Sequence, residues 1–104
     1  MRQESLDRLA WVLEALRSHP ALDEVRPTHF LLNGRDFVHF HEDGHGIVAD
    51  AILSTGRVRM SVDTAAEQAE FMDRIAEPLD SLGSRRRDRD RRRRAARRIE
   101  RGEL

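Results

Sequence analysis

Three imidazoles crowd one stretch of the chain, "GRDFVHFHEDGHG" (34–46): His39, His41 and His45, with Glu42 and Asp43 among them. Two chemistries use such a set. Neutral imidazoles ligate Zn²⁺ at about 2.0–2.1 Å, and a histidine paired with a carboxylate serves as a general base near neutral pH. In an extended strand, His39 and His41 stand at i and i+2 and leave the same face. They can therefore share one ion, with His45, Glu42 or Asp43 of the adjoining turn as a third ligand. The metal expectation is accordingly Zn²⁺ on His39, His41 and His45. The plain structural alternative is two half-exposed imidazoles hydrogen-bonded to Thr28 or to a carboxylate. An H-x-H spacing is far less specific than H-E-x-x-H. For acid–base catalysis a nucleophile is missing: Ser54 and Ser61 have no elbow motif around them, and no Gly-rich phosphate loop exists. No catalytic residue is assigned. The absence of cysteine excludes a thiol nucleophile, a thiolate metal site and a disulfide framework.

These side chains need elements to hold them. Leu6, Leu9, Leu13 and Leu16 recur at steps of three and four with Val12 beside them, which predicts an amphipathic helix over 3–18. His19-Pro20 ends it, because the residue before proline is pushed out of helical geometry. Trp11 falls off the stripe, to mark a partner surface or to be covered by another part of the chain. Asn33-Gly34 between two β-rich runs is a strong hairpin signal, since a type I′ turn needs positive φ at both positions. With that pair as the loop, Leu32 faces Arg35, Phe30 faces Phe37 and Thr28 faces His39. His29 then lies beside Val38, on the other face from His39, and is set aside as a ligand. A third strand, "GIVADAIL" (46–53), follows the Asp43-Gly44 turn. A fourth, "RVRMSV" (57–62), follows a tight turn around Thr55-Gly56. Their register puts Ala49, Ala51 and Leu53 with Val62, Met60 and Val58, and turns Asp50 to solvent. In "DTAAEQAEFMDRIAEPL", Thr64 and Glu67 have capping-box spacing, with Asp63 as a competing cap. The second helix is expected to bury Ala65, Ala69, Met72, Ala76 and Leu79, with Ile75 beside them. Glu67, Glu70, Asp73 and Glu77 form its outer face, and Pro78 ends or kinks it. The prediction is an α+β domain over 1–83: helix, four antiparallel strands and helix, both helices on one sheet face.

Gly34, Phe37, His39, His41, Asp43 and Gly44 together resemble a motif of the small luciferase-domain family of bacterial and fungal proteins, G-x-x-F-x-H-x-H-x-D-G. The likeness covers roughly residues 20–80, including the strand ending near Val62 and the helix after "DTAAEQ". It implies the α+β fold and an accessory or binding role. It does not imply an activity, because "STGRVRMSVD" lacks the His and Trp that such domains carry before the last helix.

The formal net charge of zero conceals a split. Residues 1–83 hold 8 Arg against 15 Asp and Glu, a balance of −7, whereas 84–104 hold 11 Arg against 4 acids, a balance of +7. The extension, "SRRRDRDRRRRAARRIERGEL", offers too few apolar residues to bury a stripe, so it reads as a marginal helix or a disordered tail. Arg91, Arg92, Arg93, Arg94, Arg97 and Arg98 are its candidate partner-binding residues. They suit phosphates of a nucleic acid, or an acidic protein surface on this chain or on a neighbouring copy in a homo-oligomer. No apolar run is long enough to span a membrane, and the first helix carries Glu4, Asp7 and Glu14 where a secretory signal is uninterrupted. The expectation is a cytoplasmic protein that binds no membrane.

Overall fold

The computed structural model describes residues 1–81. The first amphipathic span is two short helices, α1 (Gln3–Arg8) and α2 (Ala10–Arg17), joined at Leu9. Leu9, Val12, Leu13 and Leu16 are buried, so the apolar stripe runs unbroken across the joint. Five antiparallel strands follow in simple order: β1 (Leu22–Arg26), β2 (His29–Leu32), β3 (Arg35–Asp43), β4 (Gly46–Leu53) and β5 (Gly56–Ser61). A last helix, α3, covers 65–81.

The class is α+β, but the sheet has five strands where the sequence pattern suggested four. The extra one is β1, "LDEVR", in which only Leu22 is buried. An edge strand with one core contact shows no alternation to read. Its link to β2 is also unusual. Pro27-Thr28 makes the turn with Thr28 at φ 66°, a region that β-branched residues avoid. Thr28 is held there on every side. Its N–H donates to the Glu24 carboxylate at 3.0 Å, its hydroxyl donates to the Phe40 carbonyl at 3.1 Å, and its carbonyl accepts from Phe40 N–H at 3.0 Å.

The Asn33-Gly34 turn forms as expected, with φ of 55° and 82° and Leu32 opposite Arg35. Beyond it the expected register fails. Phe30 pairs with Val38 and Leu31 with Asp36, so Phe37 is an extra residue in β3, a β-bulge. Phe37 and Val38, adjacent in sequence, are both buried in the core. The β4–β5 hairpin keeps the expected faces but turns one residue earlier, at Ser54-Thr55, so Ala49 lies opposite Met60 rather than Val62, and Asp50 lies opposite Arg59.

One sheet face carries Phe30, Phe40, Ala49, Ala51 and Val62 into the core, together with the apolar residues of the helices. α3 docks through Phe71, whose ring meets Phe40 edge-on at 5.4 Å between centroids. Its buried stripe is Gln68, Phe71, Ile75 and Leu79: Ile75 and Leu79 are buried as expected, but Gln68 and Phe71 take the place of the alanines. Ala65, Ala69 and Ala76 are exposed and Met72 is half-buried, because Phe71 offers far more apolar area than any alanine. Pro78 does not end the helix, which continues to 81. The capping box is present: Glu67 N–H donates to Thr64 Oγ1 at 3.2 Å and Thr64 N–H donates to Glu67 Oε1 at 3.0 Å. Asp63 is thereby free for another task. Its carboxylate accepts from Ile47 N–H at 3.2 Å and pairs with Arg8 at 3.0 Å.

Trp11 is exposed over its ring yet tethered by its indole N–H, which donates to Gln68 Oε1. Gln68 is itself buried and donates to the carbonyls of Arg8 and Val62, each at 3.1 Å. One side chain thus stitches α1, α2, α3 and the end of β5.

Candidate functional site on the outer sheet face

The sheet face away from the core carries the imidazoles. A transverse row, one residue from each strand, reads Arg26, His29, His39, Asp50, Arg59. His41 stands two residues along β3, opposite Val48. The expected exclusion of His29 is therefore overturned. The bulge at Phe37 moves the pairing by one residue, so His29 lies directly opposite His39 on the same face. The signal for this was in "DFVHFH": two adjacent apolar residues, Phe37-Val38, interrupt the alternation of an otherwise alternating strand.

The rings of His29 and His39 are 5.2 Å apart between centroids, and those of His39 and His41 are 5.5 Å apart and stacked. His29 Nε2 lies 2.9 Å from Asp36 Oδ1, and His41 Nε2 lies 2.9 Å from Asp50 Oδ2. Asp50 also accepts from Arg59, from Nε at 2.9 Å and from a terminal nitrogen at 3.2 Å. Those guanidinium bonds, aided by His41 and opposed by partial burial, hold the Asp50 carboxyl down to about 2. Asp50 is a fixed negative charge at neutral pH. Desolvation first, and then the neighbouring His29 and His41, push the His39 imidazole below its ordinary value, with Asp50 and Asp36 opposing. A depression on this face is lined by His29, Asp36, His39, Asp50, Ile52 and Arg57, among others.

Of the residues singled out from sequence, His39 and His41 come together as expected. His45 does not join them. It sits in the two-residue loop between β3 and β4, where its N–H donates to Asp43 Oδ1 at 2.7 Å. Asp43, at the end of β3, is already about 13 Å along the strand from His39 at the usual rise per residue. Among the described residues, no three His, Cys, Asp or Glu side chains are arranged as a ready metal site. Thr28 is engaged with backbone carbonyls, so the His29 and His41 rings bond to carboxylates and not to a hydroxyl. Arg91, Arg92, Arg93, Arg94, Arg97 and Arg98 lie outside the described residues. No helix among the described residues is long and apolar enough to cross a membrane.

Comparison with known proteins finds no matching family model, no matching curated protein and no matching solved structure.

Proposed function

We propose that this chain is a small binding module rather than an enzyme, and that its ligand surface is the outer sheet face around His29, His39 and His41. The observation that carries this reading is the cross-strand row of His29, His39, Asp50 and Arg59 on the face opposite the core. A polar, titratable row on a rigid sheet is built for recognition. The ring nitrogens of His29 and His41 that form a bond each face a carboxylate, Asp36 and Asp50. The luciferase-domain likeness fits this reading, since the residues that carry it are the Gly34 turn, the Phe37 bulge, the two β3 histidines and the Asp43-Gly44 corner. A thermal-shift panel of small anions, nucleotides and divalent metal ions tests it, run on the wild type and on a His29→Ala/His39→Ala/His41→Ala variant. A ligand at about 100 times its Kd stabilises by about 2.7 kcal/mol. The expected result is at least one ligand class that raises the wild-type midpoint and not the variant's. A panel that moves neither protein, or moves both equally, overturns the reading.

A second reading rests on the charge split between residues 1–83 and 84–104. The Arg-rich extension contacts nucleic acid, each Arg releasing counterions from a phosphate. Gel shifts of a mixed-sequence duplex by the full chain, absent for a chain ending at Gly83, are the expected result. Equal shifts by both chains refute it.

A further inference from the structure

We propose that the outer sheet face binds single-stranded nucleic acid, with the imidazoles of His29, His39 and His41 as the surface on which bases stack and Arg26 and Arg57 as its phosphate contacts. The inference rests on the reading of this face as the ligand surface and names the ligand.

Shape comes first. The described helices pack on the other side of the sheet, so none of them covers this face. The row from Arg26 to Arg59 crosses all five strands, about 19 Å at the usual spacing between strands. That is wider than the major groove of B-DNA, about 12 Å, so a duplex cannot bring its base edges to the row. A single strand can. Its bases splay out and stack on aromatic or guanidinium planes, and the open four-stranded sheets of RNA-binding modules seat two or three bases in this way. Two depressions meet at His39. One is lined by His39, Asp50, Ile52 and Arg57 among others, the second by Arg2, Thr28, His39 and His41 among others. The hollow surface thus continues on both sides of the exposed His39 ring, which suits a chain-like ligand better than a single small molecule.

The rings already stand in place. Their centroids are 5.2 Å apart for His29 and His39 and 5.5 Å for His39 and His41. The outer two are held by Asp36 and Asp50 through Nε2 at 2.9 Å, and Arg59 fixes Asp50. No side chain has to leave its partner for a base to lie against the row. His39, between the two, has no hydrogen-bond partner among the described residues, and desolvation disfavours its charged form. It offers a neutral plane with one donor and one acceptor. A base uses such a group; an acidic peptide gains little from it.

Charge supports the same ligand. Arg26 and Arg57 are exposed and form no ion pair with a described residue, whereas Asp36 and Asp50 both have partners. The acidic excess of residues 1–83 lies mainly in the opposite layer, where α1, α2 and α3 hold eight acids against three Arg. The extension, with 11 Arg against 4 acids, adds attraction for any polyanion without choosing between single strand and duplex. The choice falls to the row.

The test is fluorescence anisotropy of the full chain with a labelled single strand of about 10 nucleotides and with the duplex of the same sequence. The single strand is expected to bind more tightly. His39→Ala should weaken it by about 5–10-fold, the low end of what one stacked base contributes, and leave the duplex unchanged. His39→Phe keeps a plane and should bind as the wild type does. Arg57→Ala should make the salt slope for the single strand shallower by about 0.7. A full-length Arg91→Ser/Arg92→Ser/Arg93→Ser/Arg94→Ser variant should weaken both nucleic acids alike and keep the preference. Equal affinity for the two forms, wild-type binding by His39→Ala, or equal losses in His39→Ala and His39→Phe overturns the inference. Displacement of the single strand by an equal concentration of polyglutamate also overturns it, because the face then reads acidic charge and not bases. If nucleic acid fails while another ligand class still needs the three histidines, only this assignment falls. If no class needs them, the proposed function falls with it.

Discussion

Gly46→Ala should damage this fold more than Gly34→Ala, although both glycines begin or flank a hairpin strand and both have positive φ. Gly34, at φ 82°, has open space where a Cβ would go, with nothing within 4 Å. Its replacement costs only the left-handed backbone term, about 1–2 kcal/mol. Gly46 has φ 132°, and a Cβ there would stand 2.6 Å from Asp63 Oδ1. The backbone term is about 1–3 kcal/mol in this sparsely populated region. The carboxylate must also move, and it is not free to do so. It holds Ile47 N–H at 3.2 Å and Arg8 at 3.0 Å. Losing the first costs about 1 kcal/mol. The second is a half-exposed ion pair, at 43% and 27% side-chain exposure, and contributes at most about 1 kcal/mol. Gly46→Ala should therefore cost about 2–5 kcal/mol in all. Urea unfolding followed by the fluorescence of Trp11, the sole tryptophan, measures both variants. A double-mutant cycle adds the decisive arm. In an Asp63→Ala background the clash and the tethers are already gone, so Gly46→Ala should fall back to its backbone term. Equal losses at the two glycines, or strict additivity in the cycle, would refute the reasoning.

Three further outcomes follow from the same contacts. Gln68→Leu keeps the volume but deprives the Arg8 and Val62 carbonyls of their donor and Trp11 of its acceptor; a loss of about 3 kcal/mol and a changed Trp11 emission are expected, and an unchanged midpoint would show that water replaces the amide. Glu24 is held below the ordinary glutamate range chiefly by its hydrogen bond from Arg17, against partial burial and with help from Thr28 N–H. Its contribution should be complete above the unfolded value of about 4.3 and fade as pH falls through the lower folded value, so Glu24→Gln should lose stability at neutral pH and show a flatter acid limb in melts from about pH 7 to about pH 3. A chain ending at Gly83 should fold cooperatively at a net charge of −7, because every buried core residue named above lies before that point. Any salt-sensitive association of the full chain should vanish with the extension, since the Debye length falls from about 10 Å at 0.1 M to about 3 Å at 1 M; sedimentation of both chains reads this, and failure of the shorter one to fold moves the domain boundary.

Much of this fold was legible because local chemistry and global packing agree. Asn33-Gly34 is a turn by backbone preference alone, and Thr64-x-x-Glu67 caps a helix through side chains three residues apart. Neither depends on the rest of the chain. The buried stripe of α3 was not legible in the same way. Several stripes about 100° apart each carry apolar residues, and only the position of Phe40 on the sheet selects the one with Phe71. β1 was hidden for a related reason. Its single buried residue, Leu22, pairs with Leu32 at a distance in sequence that no local pattern reports, and its turn uses a β-branched residue where a glycine would have announced it.

The candidate site depends on one inserted residue. A regular β2–β3 ladder running from Leu32 opposite Arg35 would place Thr28 opposite His39 and leave two imidazoles on the outer face. Phe37 enters as an extra residue, and the pairs beyond it shift so that His29 meets His39. The bulge is held from the core side, where Phe37 and Val38 are both buried, at about 1.5–3 kcal/mol for burying one such side chain. That burial offsets the ladder bond a bulge gives up, which is worth about 1 kcal/mol. Beyond the bulge, Thr28 locks the new register through the Phe40 carbonyl and N–H. Thr28 is strained at φ 66°, and such strain persists where surrounding contacts over-determine it. The apolar core and a strained turn thus jointly decide how many histidines face outward. The chemistry available to the exposed face is set by packing on the hidden one.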